Sequence, residues 1–296
     1  MPWPIDALPS PFELGFMQRA LVACIAVGAF APTIGVFLVQ KRLSLIGDGI
    51  GHVAFAGVGA GVLAGWAPLW TALAFAVAGA LGIEWFRARG RTSGDVALAI
   101  LFYSGIALGI VLISLGDGMS ADVLTYLFGQ PLVVNAGEVW AIVMLGLVIV
   151  AAVVVLRRAL FSVVTDEEWS RVAGLPVATL NSLLAVLTAV AVVAAMKIVG
   201  ILLVAAMMVL PVASAQLLAR SFRGALAFSV AIGVGASIVG LALSRVWGFA
   251  AGGAIVLVAT AVFVVVAVAA SGFASTLGAG AAEGAEVAGR AEGSGR

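Results

Sequence analysis

The chain has 296 residues, of which 64% are hydrophobic and 10% charged, and its net charge is +1 at pH 7. A soluble domain carries about 25% charged residues because its surface must face water, so the main solvent of this chain is lipid; disorder, collagen and coiled coil are excluded over most of its length. The basic residues form no stripe interleaved with aromatics, which argues against a nucleic-acid partner, and a single cysteine, Cys24, rules out an intrachain disulfide framework.

Residues 1–14 hold Asp6, Glu13 and four prolines with no basic stretch. This is not the pattern of a cleavable signal peptide, and the segment reads as an extracytoplasmic extension. A helix needs about 20 apolar residues to cross the hydrocarbon layer. Runs of that kind fall near 15–40, 44–64, 67–86, 95–115, 138–156, 177–196, 198–218, 224–244 and 249–271. The expected fold is therefore all-α: a polytopic membrane bundle of about nine transmembrane helices, occupying residues 15–271. Only Gly65, Trp66, Ala67 and Pro68 join the second and third spans, which makes them antiparallel neighbours. Between the fourth and fifth spans, residues 121–129 are amphipathic enough for a short interfacial helix closing over the bundle. Residues 272–296 are rich in Gly, Ala and Glu and read as a disordered tail.

Lys and Arg are retained on the cytoplasmic side. One set of alternate loops, with the tail, holds twelve of the fifteen basic residues, among them Lys41, Arg42, Arg87, Arg157, Arg158, Arg171, Arg220 and Arg223; the other holds Lys197 and Arg245. The N-terminus is expected outside and the C-terminus in the cytoplasm.

Lipid gives helices no hydrophobic reason to associate, so close packing depends on small residues. Gly47, Gly51, Gly57, Gly61 and Gly65 crowd the second span, and Gly105 and Gly109 repeat the spacing in the fourth. The second span is expected to be surrounded by protein. It also carries Asp48 and His52, the only histidine. Four residues apart, they share one helix face. A carboxylate at that depth needs a partner or a water-filled path. Three readings fit the spacing: a hydrogen bond tying helices together, a proton relay, or a station for a divalent cation, whose ordinary ligands include carboxylate and imidazole.

On the cytoplasmic side, Thr165-Asp-Glu-Glu-Trp-Ser-Arg-Val-Ala-Gly-Leu175 reads as a short helix about 165–175. Thr165 is placed as its N-cap, with Glu168 completing a capping box. Asp166, Glu167 and Glu168 suit the positive end of the helix dipole, and Gly174 and Pro176 end the helix. Anionic lipid would repel the leading acids, so the segment is shaped for a protein partner. No GxxxxGK[ST] motif occurs, so ATP would be hydrolysed on another polypeptide.

These pieces together resemble the membrane permease subunit of the metal-ion (zinc, manganese or iron) ATP-binding-cassette importers, most closely the zinc-uptake branch. The resemblance rests on LSLIGDGIGHVAFAG at 43–57, LTYLFGQPL at 124–132, TDEEWSRVAGL at 165–175 and AMKIVGILLVAAMMVLPVASA at 195–215, and covers roughly residues 12–270. It implies a plasma-membrane homodimer working with two cytoplasmic ATPases and an extracytoplasmic metal-binding protein. The cargo would be Zn²⁺ first, with Mn²⁺ or Fe²⁺ as alternatives and no permanent cofactor. Asp48 and His52 match the family's Asp-x-x-x-His motif on the translocation route. Asp166, Glu167, Glu168, Ala173 and Gly174 match the element that couples to the ATPase, and Pro211 matches an apolar-Pro motif of the seventh span. Two positions depart from the zinc-type pattern, Gln130 where Asp is frequent and Tyr103 where His can stand. Outside the resemblance, a proton-coupled secondary transporter using Asp48 and His52 is the competing expectation.

Overall fold

The computed structural model describes residues 14–88, 94–116 and 121–270. Most of the expected N-terminal extension, Arg89, Arg91 and the expected tail lie outside the described residues. In chain order the helices are α1 (Gly15–Gln40), α2 (Ile46–Ala64), α3 (Pro68–Ala88), α4 (Gly94–Leu115), α5 (Ala121–Phe128), α6 (Ala136–Thr165), α7 (Glu167–Val172), α8 (Val177–Val199), α9 (Ile201–Leu218), α10 (Phe222–Trp247) and α11 (Ala251–Ala270). A 3-10 turn spans Pro131–Val133. Among the described residues nine helices are long and apolar enough to cross a bilayer, and no strand is present.

Eight of the spans start and stop within about three residues of the sequence expectation, but α6 does not. It continues through Arg157 and Arg158 to Thr165. Arginine is a good helix former, so a basic pair marks where the apolar layer ends without ending the helix. Leu160, Val163 and Val164 stay buried beyond it, and their packing sustains the helix past the basic pair. At the other end of α6, Asn135 and Glu138 form a complete capping box.

Helices α1, α2 and α8 form the centre: 72% of the apolar window of each is buried, against 22% in α4 and α11. The expectation that α2 is surrounded by protein holds. Its small residues let α3 approach at backbone distance, as Gly105 lets α4, and admit α9 in ordinary van der Waals contact. Gly57 faces Thr71 and Ala72 of α3, Gly47 and Gly51 face Ala205 and Ile201 of α9, and Gly109 of α4 faces the Phe55 ring. The turn joining α2 to α3 closes through Gly65 in the left-handed conformation, with Trp66 N–H donating to the Gly61 carbonyl at 2.9 Å.

The end of the bundle opposite the arginine-rich loops is sealed by a second backbone contact. Chain breaks between α8 and α9 at Gly200, whose φ is +95°. There α5 ends at Gly129 and α11 begins beside Gly252, and Cβ atoms on these three glycines would all strike backbone of the others' neighbourhood, at 2.2–2.5 Å. The Gln130 N–H donates to the Lys197 carbonyl at 3.0 Å. The Lys197 ammonium pairs with Glu138 and lies over the Tyr126 ring. So α5 does pack onto α2, α8 and α9.

Gly200→Ala should lower unfolding stability by roughly 2–4 kcal/mol, combining a backbone conformation reserved for glycine with overpacking. Gly235→Ala in α10, where nothing lies within 4 Å of a Cβ, should leave the thermal midpoint in detergent unchanged or raised. Equal midpoints for the two variants would contradict this packing.

Candidate functional site

Helix α2 begins at Ile46, two residues later than expected. The chain leaves α1 through Arg42 in the left-handed region (φ 58°) and makes a turn in which Ile46 N–H donates to the Leu43 carbonyl at 3.0 Å. Asp48 therefore stands in the first turn, roughly 3 Å along the helix, and His52 roughly 9 Å along, shallower than the sequence placed them. The first turn is the favourable place for a negative charge, because its N–H groups are unpaired and the helix dipole is positive there.

The faces of α2 fix the direction of the pair. At about 100° per residue, Gly47 and Gly51 point toward α9, Gly49 toward Leu98 of α4, and Gly57 and Gly61 toward α3. Asp48 and His52 lie on the far side from α3, in nearly the same direction as Gly59, which meets Gly109 and Leu112 of α4. Gly105 of α4 presses against the backbone of His52, where a Cβ would stand 2.8 Å from the carbonyl carbon. The imidazole ring meets Phe102 edge-on with centroids 4.3 Å apart.

His52 is only 9% exposed and Asp48 is half-buried, yet neither makes a hydrogen bond or ion pair with the described residues. The one fully buried side-chain nitrogen or oxygen lacking a partner among them is Arg19 Nε. The polar atoms of Asp48 and His52 are therefore unbonded but still accessible. A hydrogen bond tying helices together, one of the three readings of the spacing, is not made. No cluster of three or more His, Cys, Asp and Glu side chains occurs among the described residues, which offer two such donors at the pair.

The short basic-end helix is displaced from its expected cap. Because α6 runs on to Thr165, that residue is helical and its hydroxyl donates to the Phe161 carbonyl at 2.8 Å. The chain turns extended at Asp166, whose carboxylate accepts from the Trp169 N–H at 2.9 Å and is the true N-cap of α7. Ala173 is the C-cap, and Gly174 (φ +81°) ends the helix. Buried Ser170 bonds Ser162 at 2.8 Å, fastening α7 to α6, while Trp169 and Val172 project outward, 68% and 82% exposed. Glu168 is exposed. Glu167 turns inward to Lys41 at 2.6 Å and accepts from Asn181 of α8 at 3.1 Å. Lys41, which caps α1, also bonds the Asn181 side chain.

Sequence reasoning used Lys41 only as an orientation marker and did not single out Asn181. No short-range spacing connects residues so far apart, although a lysine directly after an apolar span is a signal that it needs a counter-charge. An 840 Å³ cleft lined by Trp85, Arg87, Glu167, Arg171 and Asn181 opens beside this node.

Comparison with known proteins agrees with this architecture. Residues 13–270 match the model of the ABC 3 transport family. The chain is 33% identical over 251 residues to the manganese transport system membrane protein MntC of Listeria innocua, covering 85% of this chain and 89% of the relative. It is 32% identical over 253 residues to the manganese import system permease protein ScaB of Streptococcus gordonii, covering 86% and 91%. Among solved structures it is similar to PsaBC from Streptococcus pneumoniae in complex with Fab, with a TM-score of 0.78 and 31% identity over 86% of this chain and 91% of that one. The chain belongs to the ABC 3 transport family. It is a multi-pass plasma-membrane permease of the metal-ion ATP-binding-cassette importer class.

Burial pushes the Glu167 carboxyl up, but the hydrogen bond and charge of Lys41, then Asn181 and Arg87, outweigh it and hold the group below its ordinary value. Burial pulls the Lys41 ammonium down, and Glu167 only partly restores it. A depressed carboxylate contributes its full stability above the unfolded value, about 4.3 for Glu, and loses it as pH falls through the folded one. Wild-type protein in detergent should therefore lose stability on acidification below that range. Glu167→Gln should flatten that acid limb and cost about 1–2 kcal/mol at neutral pH. This is less than for a fully buried pair, because Glu167 is 35% exposed. Superimposable acid limbs would show that the ion pair carries no stability.

Proposed function

We propose that this permease passes a divalent transition metal ion, manganese before zinc, into the cytoplasm, with Asp48 and His52 as its transient station. The observation that carries the reading is a carboxylate and an imidazole left unbonded yet accessible on the central, glycine-clamped helix. Leaving such groups without a protein partner inside a membrane is costly, and a passing cation satisfies both. Two donors complete no tight site. A transported ion must also leave, so water or a second copy of the chain supplies the rest. Carboxylate and imidazole accept manganese and zinc alike. The motif resemblance suggests zinc first, but relatives over 30% identical along most of the chain are named for manganese, and that favours manganese.

The drive comes from a cytoplasmic ATPase seated on α7, and an extracytoplasmic metal-binding protein delivers the ion at the opposite end. Exposed Trp169 and Val172 beside the cleft suit a protein contact, and Asp166, Glu167, Glu168, Ala173 and Gly174 shape the coupling helix. The Lys41–Glu167 pair supports a route for the motion. Lys41 ends α1, and the turn from Arg42 to Leu45 leads straight into the first turn of α2, so a shift of α7 pulls on the segment that carries Asp48. In this orientation the arginine-rich end is cytoplasmic and the N-terminus outside.

Asp48→Ala and His52→Ala should each insert normally and reduce manganese uptake at least tenfold in cells carrying the ATPase and binding protein; full uptake by both would remove the assigned role. Zinc uptake measured alongside ranks the two ions. For orientation, a cysteine at Ala67 should react with a membrane-impermeant maleimide in intact cells and one at Ala219 only after permeabilisation, while native Cys24 is buried. The opposite pattern would invert the topology.

A further inference from the structure

A groove of about 860 Å³ runs between α1, α6 and α10. Ala29, Val150, Val154, Leu226 and Val230 give it an apolar wall, and Arg157, Arg158 and Arg223 stand around it toward the basic end. The Phe161 and Phe222 rings, 4.7 Å apart, are part of the same lining. Counting from Ala136, a hydrocarbon layer of about 30 Å takes about 20 residues of α6, which places Arg157 and Arg158 at the depth of the lipid headgroups.

The three arginines are exposed and make no ion pair or hydrogen bond with the described residues. Arg223 is also misplaced for its own helix. It lies in the first turn of α10, where the dipole disfavours a cation, so an anion beside it would be favourable. The chain has little to answer it with. Of the acidic side chains described at this end, Glu84 pairs with Arg87, Asp166 caps α7, and Glu167 holds Lys41; only Glu168 and the half-buried Asp48 of α2 are uncommitted. A second copy of the chain would bring the same shortage.

We propose that this groove binds an anionic phospholipid, with an acyl chain along the apolar wall and the phosphodiester on the guanidiniums of Arg157, Arg158 and Arg223. Guanidinium forks match phosphate oxygens two at a time, and the apolar wall explains why a lipid rather than a free anion is the occupant. Basic pockets between helices on the cytoplasmic side are the expected seat for such headgroups.

Native mass spectrometry tests this on the full chain in detergent, with phosphatidylglycerol and phosphatidylcholine of identical acyl chains offered in equal amounts. Each arginine near the surface favours an anionic lipid about fivefold, so the wild type should retain phosphatidylglycerol about a hundredfold over phosphatidylcholine. Replacing all three (Arg157→Gln, Arg158→Gln, Arg223→Gln) should abolish the preference. Ala227→Phe, which fills the groove and keeps the charges, should reduce retention of phosphatidylglycerol at least tenfold. Equal retention of the two lipids by the wild type would overturn the proposal, as would a preference that survives the triple variant or phosphatidylglycerol retention that survives Ala227→Phe. Disulfide joining of two chains through a cysteine at Val154 would place a second copy in the groove and overturn it too. If the triple variant does not fold, the wild-type headgroup comparison and Ala227→Phe decide the matter.

Discussion

Lipid supplies no hydrophobic force to hold one helix against another, so α2 can stay at the centre of this bundle only by packing closer than side chains normally allow. Glycines on α2 and α4 bring backbone to within contact of backbone, and α9 closes on the faces of Gly47 and Gly51. Everything about the Asp48–His52 pair depends on this. Because van der Waals contact fixes the helix, the two polar side chains are not required as bonds between helices. Among the described residues they stand unbonded, on the side that α3 does not cover.

Each end of the bundle is fastened differently. At the basic end, Lys41 joins the end of α1 to α7 and α8 through Glu167 and Asn181. At the opposite end, Glu138 caps its own helix and holds Lys197 just before the break at Gly200. Both lysines sit directly at a helix end, where their charges reach partners on other helices. The fastening at the basic end joins the helix that presents Trp169 outward to the turn that precedes Asp48. The other lies within the seal of short elements around Gly200.

Much of this was legible in the sequence. Nine apolar runs, the alternation of basic loops, the tight turn at Gly65 and the crowding of glycine in the second span all reflect local composition, and the helices follow them. The errors were also local in kind. Arg157 and Arg158 end the apolar run near 138–156 but not the helix, because a charge marks the edge of lipid rather than a limit on helix propagation. That misplacement moved the cap of α7 from Asp166 to Thr165. The expected start of α2 falls two residues early, because Ser44 is a lone and weak turn signal between two leucines.

Composition and periodicity determined the fold class, the spans and the shared face of Asp48 and His52, since hydrocarbon thickness and helical geometry leave few choices once the apolar runs are known. Only the tertiary structure decided that those two side chains are unbonded, that Lys41 reaches Glu167 and Asn181, and that Arg157, Arg158 and Arg223 gather around one groove. Such contacts join residues far apart along the chain. Which distant helices become neighbours is set by the packing of the whole bundle, and no local pattern encodes it.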